Sequence, residues 1–410
     1  MKRLFLPFLL LLSYSIKAEH HILSSDIKSL QVVVNQNWLS MPVMTLGSHD
    51  ILNISFDNMS HIFHRYVYRL EHCEADWSPS EDLFESDWLI GFNDIPIEDY
   101  ENSLNTTVSY TRYKLQIPNS QCQLKMSGNY RLHVFDEDED NKEVLVAEFM
   151  VKEDIMNIGL DVTTNTDIGI NTSYQQVYMT VNYNGLPVTW PEEQLWTVVM
   201  QNGRETTQRI NVRANYIHNN GLQWKHNRDL VFDAGNEFHK YEILDVSHTT
   251  MGLDRIMWDG KNFNAYPYVD EPRRNYLYDE DADGAFYIRN SDNMENERTC
   301  DYVNVHYRFG PIRHYENAEI VVNGLWTTEA PEMYSMNYDE TDQCYHTTLL
   351  QKQGYYNYQY LMRLSDGTIQ SVPEEGSFFQ TENRYQAFVY YKGTGDRSWR
   401  LTGYAQTIFK

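Results

Sequence analysis

Apolar and polar residues alternate with a period of two through most of the chain, which is the signature of half-buried strands. In SGNYRLHVF, Tyr130, Leu132 and Val134 share one face while Arg131 and His133 take the other. The acidic segment FDEDEDNKEV (Phe135–Val144) follows, and then Leu145, Ala147, Phe149 and Val151 resume the alternation, so a hairpin is predicted. Val177, Met179, Val181 and Tyr183 share a face before Asn184-Gly185, a strong turn signal. LWTVVMQNGRETTQRI turns at Asn202-Gly203, and YNYQYLMRLSDGTIQSV turns at Asp366-Gly367. Long amphipathic helical patterns with caps are absent. The expected class is all-β, and 31 Tyr, 17 Phe and 9 Trp against 12 Pro suit aromatic-rich antiparallel sheets.

Breaks in this pattern divide the chain. FMVKED ends one strand-rich block near Asp154, and the polar run RNSDNMENERT (Arg289–Thr299) reads as a linker or long loop. The expectation is three consecutive Ig-like or early-set β-sandwiches, over residues 19–154, 155–298 and 299–410. No repeat of fixed period points to a solenoid or propeller.

The first residues are of another kind. MKRLFLPFLLLLSYSIKA joins a basic start (Lys2, Arg3), an apolar run (Leu4–Leu12) and a small residue, Ala18, and so reads as a signal peptide over residues 1–18. No other segment is apolar for long enough to span a bilayer, and no Cys follows the run to carry a lipid. An exported protein without direct membrane insertion is expected. Losing Lys2, Arg3 and Lys17 from 33 basic residues leaves 30 against 58 acidic ones, a formal −28. That balance argues against nucleic acid as a partner.

Candidate chemistry is sparse. Asp279, Asp281, Asp283 and Gly284 spell the opening of an EF-type calcium loop, but its twelfth position is Asn290, which cannot chelate with two oxygens. The flanks are aromatic and β-branched, so an acidic hairpin tip is predicted. His61 and His64 form H-x-x-H without the Glu and helix of a zinc protease, and no nucleophile elbow or phosphate loop occurs. The acidic residues are too evenly scattered to single out a hydrolytic pair, though unrecognised carboxylates would be how a hydrolase reading survives. Asn53, Asn58, Asn105 and Asn171 begin glycosylation sequons, which matter only in a eukaryotic secretory pathway. Cys73, Cys122, Cys300 and Cys344 permit bridges such as Cys73–Cys122 and Cys300–Cys344, other pairings, or none. No catalytic, cofactor-binding or metal-binding residue is assigned.

One segment, from AEIVVNGLWTTEAPEM to QGYYNYQYLM, resembles the early-set sandwiches that bind starch or glycogen. It makes Trp326 a weak sugar-binding candidate, since aromatic faces stack on pyranoses; the alternative is that Trp326 packs the sandwich.

A second resemblance is broader. YRLEHCEADWSPS (Tyr68–Ser80), FNDIPIEDYENSLNTTVSYTRYKLQIPN (Phe92–Asn119) and SGNYRLHVF (Ser127–Phe135), in this order, resemble the N-terminal domain of the type 9 secretion system plug proteins of Bacteroidetes-type bacteria. DEDADGAFYIRN and CDYVNVHYRF (Cys300–Phe309) resemble later parts of the same family, with Asp283 standing where Asn is expected. The resemblance implies a non-enzymatic periplasmic protein without cofactors. Its partner would be the giant outer-membrane translocon barrel, whose periplasmic opening such plugs close when no substrate is in transit. The alternative function is a carbohydrate-binding exported protein using Trp326.

Overall fold

The computed structural model describes residues 20–410, so the leader expected over residues 1–18 lies outside the described residues. Strands account for 47% of the chain and helix for 7%, which makes the protein all-β. The six larger sheets among the described residues pack face to face in three pairs, each around its own apolar core, and a two-stranded sheet, Leu89–Gly91 with Cys122–Leu124, adjoins the first. No described helix is long and apolar enough to cross a membrane.

In the first pair, Gly128–Asp136 lies between Tyr66–Cys73 and Lys142–Lys152, and Ile27–Val34, Leu52–Asn58, Thr111–Ile117 and Asp99–Asn102 form the facing sheet. Ile54, Phe56, Tyr68, Leu70, Tyr113 and Leu132 fill the space between them. The predicted hairpin is present: Asp136 pairs with Lys142 and Gly128 with Val151. Its acidic tip is a single 3₁₀ turn, Glu137–Glu139, closed by Asp140 and Asn141 at positive φ.

The middle pair is discontinuous in sequence. One sheet holds Asn157–Thr163, Tyr174–Asn182, Gly221–Trp224, Tyr216–His218 and Val231–Asp233. In the other, Leu195–Gln201 is flanked by Arg209–Ile210 and by Asn383–Tyr391, which in turn pairs with Arg400–Phe409. The last two strands of the chain therefore belong to the middle pair. The third pair is inserted between Asp233 and Asn383, around the long strand Gly354–Leu364. That strand receives His239–Glu242, Phe286–Ile288, Ala318–Asn323 and Ile369–Ser371, and faces a sheet centred on Tyr302–Phe309 and Cys344–Lys352.

This arrangement corrects the expected cut at 298/299. Phe286–Ile288 pairs with Gly354–Tyr356, so strands on both sides of the cut share one sheet. The physical reason is the strand Leu195–Gln201. It is almost wholly buried, and its sequence neighbour Arg209–Ile210 covers only two of its residues. Its other edge needs a partner along its whole length, and Tyr385–Tyr391 supplies it from the far end of the chain.

The turn residues do not all close hairpins. At Asp366-Gly367 the strands pair from Arg363↔Ile369 onward, and after Asn202-Gly203 the chain returns to pair Val199 with Arg209. Asn184 and Gly185 take the positive φ angles of a turn, 49° and 89°. They do not close a hairpin, because Tyr174–Asn182 pairs with Asn157–Thr163 and Gly221–Trp224 while the chain crosses to the facing sheet.

Candidate functional site at the junction of the three sheet pairs

Buried polar and charged side chains gather where the pairs meet. Between the first and third pairs, Asp57 on Leu52–Asn58 accepts hydrogen bonds from Arg112 Nη1 at 3.1 Å, Tyr302 Oη at 2.7 Å and Lys352 Nζ at 2.6 Å. All three charged side chains are fully buried. Arg112 also donates to Gln31 Oε1 and Ser55 Oγ, both at 2.6 Å, and Lys352 lies 3.9 Å from the centre of the Tyr110 ring. Burial, with Arg112 nearby, outweighs the attraction of Asp57 and lowers the Lys352 ammonium to about 8.

The segment Ser103–Lys114 surrounds this network with backbone contacts. Asp301 accepts from the Thr107 N–H and hydroxyl, both at 2.7 Å, and from the Val108 N–H at 3.1 Å. Tyr110 Oη donates to the Cys300 carbonyl, Leu104 N–H to the Arg298 carbonyl, and Lys114 pairs with Glu297 at 2.5 Å. The polar run Arg289–Thr299, expected to be a linker or long loop, ends in the short helix Asn296–Thr299 and is part of this interface.

The middle pair meets the first through an apolar cluster of Met150, Val198, Met200, Phe388, Tyr390 and Leu401. Tyr390 Oη donates to Asn129 Oδ1 at 2.8 Å, and Arg400 pairs with Glu153 at 3.2 Å. A cavity of about 390 Å³ remains where all three pairs converge, lined among others by Trp38, Trp77, Trp196, Met200, Phe238 and Leu325. Arg204 also lines it, and burial lowers its guanidinium to about 10.

The acidic D-x-D-x-D-G stretch sits beside this cavity and corrects the expectation of a hairpin tip, because Phe286–Ile288 after the turn pairs with Gly354–Tyr356 and not with residues before it. Asp283 and Gly284 make a tight turn, at φ 52° and 89°, closed by Ala285 N–H to the Ala282 carbonyl at 3.0 Å. Its acids diverge. Asp279 pairs with Lys240 at 2.5 Å, Asp281 accepts from the N–H groups of Phe238 and Asp283, and Asp283 pairs with Arg384 at 3.1 Å. Burial raises Asp281 to about 7 and, against the pull of Arg384, Asp283 to about 6. Carboxyls spent on three separate partners do not form one oxygen cage.

Trp326 is a core residue. Its Nε1 donates to the Asn357 carbonyl at 2.7 Å, and the rings of Tyr356, Tyr334 and Tyr307 lie 5.6, 6.0 and 6.4 Å away. With the indole 8% exposed, no face is left for a sugar ring, which corrects its candidacy. His64 binds Asp136 at 2.7 Å through Nδ1, whereas His61 is exposed at a left-handed turn. The four cysteines are free and buried, so neither bridge left open by the sequence forms. Asn58 is buried and donates to Tyr66 Oη. Asp57, Arg112 and Lys352 went unnoticed in the sequence because nothing local distinguishes them from other charged residues.

A family model described as the type 9 secretion system plug protein 1st domain matches residues 27–153. Among solved structures, that of a hypothetical protein from Parabacteroides merdae ATCC 43184 is 34% identical, with a TM-score of 0.92. The match covers 96% of this chain and 100% of that one. Collagen adhesin (CNA) from S. aureus, 7% identical over 95% of this chain and 94% of its own, has a TM-score of 0.13 and supports no argument. The comparison with curated proteins gave no match.

Proposed function

From the premise that this chain belongs to the type 9 secretion system plug protein family, we propose that it closes the periplasmic opening of the system's outer-membrane translocon barrel when no substrate is in transit. The role is mechanical and non-enzymatic, and the site of action is the periplasmic side of the outer membrane. The observation that carries this reading is the family match over residues 27–153, reinforced by the way the rest of the chain is joined to that region. Ser103–Lys114 lies within the matched residues, and its contacts with Glu297–Asp301, together with Lys352 on Asp57, fasten the third sheet pair to the first. A stopper for a wide pore has to resist deformation. Buried polar contacts between units favour one relative arrangement over sliding alternatives.

Release matters as much as closure. A plug that leaves when substrate arrives needs a polar, hydrated contact with its barrel rather than a permanent apolar one. The acidic surface, with 58 acidic against 33 basic residues in the full chain, fits docking on a basic rim. Raising salt from low to physiological ionic strength is then expected to slow complex formation; a flat response removes the electrostatic part of the proposal.

The test of the function is recovery of partners. A tagged copy, isolated in mild detergent from envelopes of a secretion-blocked strain and of an actively secreting strain, is expected to bring down a very large outer-membrane barrel. Less should be recovered when substrates crowd the channel. Absence of the barrel from both preparations contradicts the plug role.

A further inference from the structure

On the third sheet pair, away from the junction, three side chains with different donor atoms converge. Asp342, Cys344 and His346 each bring one ligand atom to within 4.8 Å of the other two. The convergence is local in origin. Cys344 and His346 are two apart on the strand Cys344–Lys352, so their side chains leave the same face. Asp342 precedes the strand, and Gln343 between them has φ 59°, a left-handed residue that turns the Asp342 carboxylate back over that face. The two Asp342 oxygens lie 3.1 and 3.0 Å from His346 Nε2.

The sulfur has room because its neighbour across the turn is a glycine. A Cβ on Gly310, where φ is 144°, would meet Cys344 Sγ at 2.9 Å. The thiol is buried, donates to the Asp342 carbonyl at 3.3 Å and meets the Arg308 side chain, and burial raises its pKa above the usual value. An ion pair between Asp342 and His346 has no use for this sulfur. A borderline-soft cation has use for all three donors.

We propose that Asp342, Cys344 and His346 bind one zinc ion through carboxylate, thiolate and imidazole, leaving a fourth position open to water. Donors about 2.0–2.3 Å from a tetrahedral zinc stand roughly 3.3–3.6 Å apart, so closing the present triangle requires side-chain adjustments of about 1 Å. Thiolate with imidazole selects zinc over magnesium or calcium, which take oxygen cages. The thiol gives its proton to solvent as the Zn–S bond forms, so binding releases one proton per ion and weakens as pH falls. Arg308 Nε, 3.3 Å from Asp342, has to yield the carboxylate, and its side chain, 44% exposed, has solvent to turn into.

Cobalt(II) reports the site directly, because a thiolate ligand gives a cobalt charge-transfer absorption that oxygen and nitrogen ligands do not. The metal-free protein is expected to bind one Co²⁺ with that absorption and to lose it when Zn²⁺ is added. Cys344→Ser removes the absorption, while Cys73, Cys122 and Cys300 remain as internal controls. His346→Gln, a partly exposed change that leaves the core intact, weakens Co²⁺ binding at least tenfold. The site is refuted by folded protein without thiolate absorption, by absorption that survives Cys344→Ser, or by His346→Gln binding Co²⁺ as tightly as the parent.

Discussion

Lys352 Nζ donates to Asp57 Oδ2 across 2.6 Å with both side chains fully buried, joining strands 295 residues apart in sequence. Asp57 is contacted by two buried cations, Arg112 and Lys352. Removing the shared anion and removing one cation are therefore unequal changes. Asp57→Asn strands two buried charges and is expected to cost about 3–5 kcal/mol. Lys352→Met leaves the Asp57–Arg112 pair in place and fills the space of the aliphatic stem, so its cost should stay below about 2 kcal/mol. Unfolding midpoints in urea compare the two. Equal losses would mean that the network is not centred on Asp57.

The response to pH is expected to come in part from His239, whose Nδ1 lies 2.8 Å from Asp270 and whose Nε2 lies 3.0 Å from Glu375. Burial opposes its charge, but Asp270 and Glu375 outweigh burial and Arg273 and raise the imidazole to about 9. A raised base stabilises fully below its unfolded value of 6.5 and loses that contribution as pH climbs through about 9, a change of roughly 3 kcal/mol. Lys352 contributes with the opposite sign. Its folded value of about 8 against 10.5 means a penalty below pH 8 that is relieved as pH rises to 10.5. The stability gap between the parent and His239→Gln should therefore be widest near pH 6 and nearly closed by pH 9.5. A gap that does not change with pH rejects the charged His239.

Trp326→Ala is expected to act on stability, by about 3–5 kcal/mol, because it empties a site enclosed by Tyr307, Tyr334 and Tyr356 and orphans the Asn357 carbonyl. Native protein should pass unretarded through a glucan column. Retention that disappears in a folded Trp326→Ala variant would restore the sugar-binding reading.

Intact mass and thiol titration check the cysteines. Cys73, Cys122, Cys300 and Cys344 are at most 1% exposed, and burial raises Cys122 and Cys300 to about 12. Unfolded protein should titrate four thiols and native protein should react slowly, since the thiolate is the reactive form. Fewer than four thiols after denaturation without reductant would indicate a bridge.

Alternation made the individual strands legible, as at Gly128–Asp136, because each half-buried strand writes its own two-residue period. Partnership between strands has no such local record. Nothing near Leu195–Gln201 announces that Asn383–Tyr391 will lie beside it, so the inserted third pair was misplaced in sequence. Asn184-Gly185 shows the same limit on a smaller scale, since turn residues specify φ and not the destination of the next strand. Asp281 and Asp283 look like surface acids in the sequence, and only the packing of Phe238 and Arg384 around them makes them interior ones. The family resemblance is legible in Tyr68–Ser80, Phe92–Asn119 and Ser127–Phe135, and the second of these includes Thr107 and Tyr110, which bind the third pair.

Conductance tests the proposed pore closure most directly. Purified translocon barrel in a planar bilayer should conduct with wide-pore currents, and adding this protein to the periplasmic side should reduce them in a saturable way that washing reverses. Currents unchanged at saturating protein, with the barrel correctly oriented, would contradict the account.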